Sequence, residues 1–253
     1  MKKNLVLFIT FLFFTICKSQ IKNGIIQYGK VIATVKDFKG DAEMKAWDEK
    51  NNAAANKIEY TLNFNLKESS FFANPILLDT GLDYNMAVWN GSGVFKYYQN
   101  NATKEYRELK ETKRTGKVIV NNQIITDWTL TNESKIIDGH KCYKATTPIF
   151  QSSKKLEGFP CINVWYTPEI PIGFGPLGFG GLPGLILELQ NNRATYFVKT
   201  IKLNEAKEPE MDKLQFQKPV SLETFHEIFN GTLSSEQLEM IKEANEEEAN
   251  KKK

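Results

Sequence analysis

Residues 57–72 set the tone of the whole chain, because Ile58, Tyr60, Leu62, Phe64 and Leu66 recur at every second position with polar neighbours between them. A period of two sends alternate side chains to opposite sides of an extended backbone, so this stretch demands a β-strand with one buried face. The same reading extends along the sequence. Residues 24–38 carry Ile26, Tyr28 and Ile32 in a strand-like run, and residues 41–56, with Trp47 and Ala53 to Ala55 among many charges, read as a helical or looped insertion. Residues 86–98 read as strand, turn, strand around Asn90-Gly91-Ser92-Gly93, since Asn-Gly supplies the positive φ of a tight hairpin. Strands are expected at 106–109, 117–120, 124–131, 141–150, 161–167, 185–189 and 193–201. That spacing implies consecutive antiparallel hairpins rather than βαβ units.

The C-terminal part changes period. Pro219 and Ser221 open a helix whose stripe is Leu222, Phe225, Ile228 and Phe229, with Gly231 just past its end. A second helix starts at Ser234, with Gln237 as its capping-box partner, and runs into the charged residues 246–253. The fold class expected is therefore mainly β: a large curved antiparallel sheet, half-barrel or bowl-like, with C-terminal helices. The expected organisation is a signal peptide at 1–19, an antiparallel β domain at 20–218 and a helical tail at 219–253.

The signal peptide rests on order. Lys2 and Lys3 precede an apolar run at 5–16, and a short polar segment, Cys17 to Gln20, follows. That run is shorter than the roughly 20 residues of a spanning helix, and no later stretch replaces it, so no transmembrane span is expected. Cys17 and Ser19 suit cleavage before Gln20, whereas lipidation at Cys17 calls for a small residue where Ile16 stands. Removing Lys2, Lys3 and Lys18 leaves 33 minus 3, or 30, basic residues against 30 acidic ones. A formally neutral chain with scattered lysines lacks the basic face that nucleic acid requires. Two cysteines remain, Cys142 and Cys161. A hairpin of 141–150 with 161–167 places Cys161 near Pro148, about 20 Å of strand from Cys142, so a disulfide there needs an irregular loop.

The distinctive residues lie in the middle: Trp128, then Lys135 to Thr146 with Asp138-Gly139-His140-Lys141-Cys142, then Trp165-Tyr166-Thr167-Pro168-Glu169-Ile170-Pro171, then Gly180-Gly181-Leu182-Pro183-Gly184-Leu185-Ile186. In these ordered motifs, from Trp128 to about Leu189, the chain resembles the GLPGLI family of exported proteins of Bacteroidetes-type bacteria, named for the segment 181–186. The resemblance implies an exported envelope protein without an established reaction, an accessory of outer-membrane uptake systems. Some members resemble the bowl-shaped N-terminal module of a bacterial glycan-releasing amidase. Relatives often carry a cysteine near the GLPGLI segment where this chain has Gly180, so their pairing does not transfer to Cys142.

The candidate ligand site is built from Trp165, Tyr166, Glu169, Gly181, Pro183 and Gly184. Pro168 and Pro171 stiffen the backbone that carries Glu169, and the Gly-Pro turn either feeds a buried strand or forms the floor of a site. The segment is no phosphate loop, lacking both a Gly-Lys-Ser/Thr ending and a GxGxxG opening. His140 and His226 have no metal-ligand spacing, so neither a metal nor a cofactor is expected. No Gly-x-Ser-x-Gly elbow supports acyl transfer. Two classes of function remain. One is a non-catalytic binding or accessory protein for a lipid, glycan, peptide or outer-membrane partner. The other is an envelope hydrolase using acids such as Glu169 and Glu188, with Asp79 and Asp83 as a further pair.

Overall fold

The computed structural model describes residues 20–33, 41–77, 87–88, 96–112, 116–122, 127–148, 150–151, 154–155, 161–191, 193–241 and 243. The signal peptide, the Asn90 to Gly93 turn, Asp79, Asp83 and the final charged tail lie outside them.

One sheet of 12 strands organises the molecule. In chain order these are β1 (Asn23–Ile32), β2 (Tyr60–Asn65), β3 (Glu68–Ala73), β4 (Lys96–Asn100), β5 (Glu105–Thr112), β6 (Gly116–Asn121), β7 (Thr129–Ile137), β8 (His140–Thr147), β11 (Ile162–Thr167), β12 (Leu185–Asn191), β13 (Ala194–Leu203) and β14 (Val220–Ser221). The short β9 (Phe150–Gln151) and β10 (Lys154–Lys155) pair only with each other. The spatial order is β14-β6-β5-β4-β3-β2-β1-β13-β12-β11-β8-β7. All its pairings are antiparallel except β14 with β6. Two meanders thus meet at β1 and β13, whose register runs from Gly24 opposite Leu203 to Ile32 opposite Ala194.

Chain connectivity forces this sheet to curl. β6 and β7 stand ten places apart in the order, which is about 48 Å across a flat sheet. Only residues 122–128 join them, and that link reaches at most about 28 Å. Hydrogen bonds record the approach of the two ends. Tyr106 on β5 donates its hydroxyl to Leu177 O at 3.1 Å, and Trp128, just before β7, donates its indole N–H to Gly180 O at 2.8 Å. The open, curved antiparallel sheet expected from the alternation is the fold observed.

The concave side is filled by the connection between β11 and β12. Ile170, Ile172, Phe174, Leu177, Phe179 and Leu182 are all buried there, and the 3-10 turn Pro176–Gly178 touches β3 and β4. This plug meets an aromatic floor in which Tyr60 stacks on Phe71 at 5.3 Å and Tyr28 meets Phe71 edge-on at 6.0 Å. Helix α1 (Ala42–Ala55), capped by Asp41, packs on β1 through its C-terminal end. Helix α2 (Leu222–Asn230) is N-capped by Ser221 and ended by Gly231 in the left-handed region. Its Phe225 packs on Val118 and Val120 of β6. Ser234 and Gln237 exchange the two capping-box hydrogen bonds at 3.0 and 3.1 Å, as their spacing predicts.

Two expectations change in detail, while the separation expected of the two cysteines is found. Residues 57–72 form two strands, because Asn65 Oδ1 accepts from the backbone N–H of both Lys67 and Glu68 and turns the chain there, leaving Leu66 exposed. The strand expected at 124–131 is found at Thr129–Ile137. Cys142 is buried, Cys161 is exposed, and both thiols are free. The hairpin register explains this, since Ile162 pairs with Thr147 and so sets Cys161 far from Cys142. Among the described residues no helix is long and apolar enough to cross a membrane.

Candidate functional site

Strand alternation and register place Trp165 on the face of the sheet away from the plug. It stands directly opposite Glu188 on β12 and Lys144 on β8. Lys135 reaches across from β7, its Nζ 2.8 Å from Glu188 Oε2 and 4.4 Å from the centre of the Trp165 ring. One ammonium therefore satisfies a carboxylate and an aromatic face together. Lys144 makes a similar bond to Glu133 at 2.8 Å.

Further along the same side, Glu169 closes the end of the β8–β11 hairpin. Its Oε2 lies 2.8 Å from His140 Nδ1, and its Oε1 accepts from Lys141 N at 3.2 Å. Beneath these groups the buried Cys142 has its thiol pushed up to about 11 by burial, against the lowering effect of Lys135. A thiol held protonated in this way is a poor nucleophile at neutral pH.

The structure thus brings Trp165, Glu169 and Glu188 onto one half-exposed band and sends the other predicted residues elsewhere. Tyr166 turns to the opposite face, where its ring lies 6.3 Å from Tyr143 and burial raises its phenol pKa. Gly181 and Pro183 are exposed at the outer bend of the plug, while Gly184 is buried against the backbone of Thr167. A Cβ on Gly184 would stand 2.1 Å from Thr167 O, so only glycine lets the two segments come together. The GLPGLI segment is therefore the returning end of the plug. Aromatic donors fasten its backbone, with Tyr28 OH to Ile186 O at 2.6 Å joining the Tyr106 and Trp128 bonds.

Sequence reasoning passed over a second polar group, on the concave floor. Gln99 on β4 pairs across with Ser69 on β3 and Tyr106 on β5, and Tyr97 pairs with Glu108. Burial, followed by the Glu108 charge, raises the phenol pKa of both Tyr97 and Tyr106 well above the ordinary value. Glu108 itself is engaged by Lys110 at 2.9 Å and by Asn122 at 3.0 Å. Gln99 is 1 % exposed, and neither of its amide atoms has a hydrogen-bond partner. The available signal was a glutamine at an inward position, next but one to Tyr97. Among the described residues no three or more His, Cys, Asp or Glu side chains gather as a metal site.

Residues 95–225, more than half of the 253-residue chain, match the family described as N-glycanase peptide, N-terminal domain. Among solved structures the fold is similar to PNGF-II in its P21 crystal form, with a TM-score of 0.51 and 16 % identity over 82 % of this chain. The C2 form of PNGF-II gives a TM-score of 0.50 and 17 % identity over the same share. In both cases the match covers 33 % of PNGF-II, so this chain spans about a third of that protein. No curated protein matches the chain.

Proposed function

The chain belongs to the family of N-glycanase N-terminal domains, and from that premise we propose that it is an exported, non-catalytic module that binds glycan in the cell envelope. The observation that carries the non-catalytic reading is the state of the two acids a hydrolase would use. Glu169 is held by His140 and the Lys141 N–H, and Glu188 by Lys135. A general acid for glycoside or amide cleavage is a carboxyl group kept protonated by apolar surroundings. Glu169 and Glu188 instead lie on a half-exposed surface with polar partners, not in an apolar pocket. They fit a cross-strand latch.

The remaining parts of the reading follow from the sequence. The N-terminal order of charges and apolar residues supports export, and the motifs from Trp128 to Leu189 support membership of the GLPGLI proteins. Residence in the periplasm or at the outer membrane, beside an uptake protein, agrees with both. In this reading the β domain and its helical tail act together, because β14 and α2 complete the edge next to β6.

A direct test incubates the mature chain with an N-glycosylated peptide and follows it by native mass spectrometry. The proposal expects a complex in which the glycopeptide keeps its mass. Released glycan, or sugar fragments whose formation stops in Glu169→Gln or Glu188→Gln, would establish the hydrolase instead.

A further inference from the structure

We infer that the concave floor beneath the plug, centred on Gln99, is a saccharide subsite; this rests on the glycan-binding reading and assigns that function a place. The Gln99 amide is a buried polar group without a partner. A buried amide with neither donor nor acceptor satisfied loses its water hydrogen bonds without return, and native interiors hold few of them. Methionine at position 99 would fill the same space without that loss. The amide is nevertheless there, with Nε2 and Oε1 both enclosed and unmatched.

What surrounds it is the chemistry a sugar ring uses. A side-chain amide offers one donor and one acceptor side by side, which matches two neighbouring hydroxyls. The rings of Tyr97 and Tyr106, 6.3 Å apart and tilted by 45°, give the apolar face of a pyranose surfaces to lie on. Glu108 stays close to both phenols but is already balanced by Lys110 and Asn122, so the subsite carries no unpaired charge and favours a neutral ligand. The roof is the plug itself. A Cβ built on Gly180 would stand 3.2 Å from Gln99 Nε2, and Leu177 O is held by Tyr106 OH. A sugar reaching Gln99 must displace this turn from the floor, so association is slow compared with binding on an open surface.

The test compares the mature wild type with Gln99→Met and Trp165→Ala by thermal unfolding and by calorimetry, using N-acetylglucosamine, mannose and a free N-linked core oligosaccharide as probes. Gln99→Met is expected to raise the Tm of the unliganded protein by about 2–4 °C, since it removes an unsatisfied amide. It is also expected to weaken saccharide binding by about tenfold or more, because a site built to hydrogen-bond hydroxyls loses its pairing. Trp165→Ala should leave the affinity within about twofold, as its ring lies on the other face. If Gln99→Met binds like wild type, or if Trp165→Ala abolishes binding while Gln99→Met does not, the subsite is overturned and the glycan-binding reading survives. If the wild type binds none of the probes, both fall.

Discussion

The two halves of the sheet are built alike and finished differently. Across the outer face of β2 to β6 runs the segment 204–219, a strap laid over the strands. Asn63 Nδ2 donates to Glu210 O at 3.0 Å, Asn65 Nδ2 to Glu208 Oε1 at 2.6 Å, Lys96 pairs with Asp212 at 2.6 Å, and Arg107 donates to Lys213 O at 2.9 Å. One apolar pin holds it, Leu214, fully buried among Tyr98, Leu109 and Ile119. The strap then becomes β14 and seals the edge at β6. The other half, β7, β8, β11 and β12, has no such cover among the described residues. Its outer face is held by side chains alone, Lys135 to Glu188 and His140 to Glu169, and its edge strand β7 leaves Leu130 57 % and Ile136 66 % exposed. β7 also carries an irregularity between Leu130 and Ser134, and bulges and lysines blunt an edge against pairing. The lesson is that one half is clamped from both sides while the other is plugged on one side and latched on the other.

The largest expected effect breaks the part both halves share. Gly184→Ala places a methyl group against the Thr167 carbonyl and should cost about 3 kcal/mol or more, read as loss of soluble folded protein or a strongly lowered Tm. Next comes the clamp. Leu214→Ala should cost about 2–3 kcal/mol, with hydrogen exchange accelerating in β4 to β6 and unchanged in β8 and β11.

A third prediction concerns Lys30, which sits on the concave face with its ammonium 3.4 Å from Ala87 O and 5.3 Å from the Tyr60 ring centre. Burial pushes its pKa down from the ordinary 10.5 to about 7. Between those values the unfolded chain binds a proton that the folded one has released, so stability rises with pH across that window. Below pH 7 the buried charge weighs in full. From pH 7 to 9 the gain should be about 2 kcal/mol, and Lys30→Met should abolish the slope; denaturant titrations at the two pH values measure both. The smallest effect belongs to the latch. Lys135→Ala should cost less than about 1 kcal/mol, because partly exposed ion pairs and cation–π contacts contribute little. A larger loss there would erase the contrast between the halves.

The sequence showed the strands wherever one face is buried and the other wet, as at Ile26 and Tyr28 or along β13. It also showed the starts of the two C-terminal helices, since capping is local chemistry at Ser221 and Ser234. The turn at Asn65 was hidden because alternation continues through it in letters while the chain reverses in space. The strap was hidden for a related reason: its contacts join residues more than a hundred positions apart, as in Asn63 with Glu210. Of the candidate site, Trp165 and Glu169 were legible in one proline-bounded segment, and Glu188 only as the second acid of the hydrolase alternative. Their partners Lys135 and His140 depended on register, and Gln99 depended on which side of a strand faces the plug.

The most direct test is hydrogen exchange of the protein with and without a bound N-linked core oligosaccharide. The account predicts new protection in β4 and β5 and faster exchange in the 176–180 turn that the sugar displaces, with β8 and β11 unaffected. Protection confined to the strands bearing Trp165 and Glu188, with β4 and β5 unchanged, would contradict it.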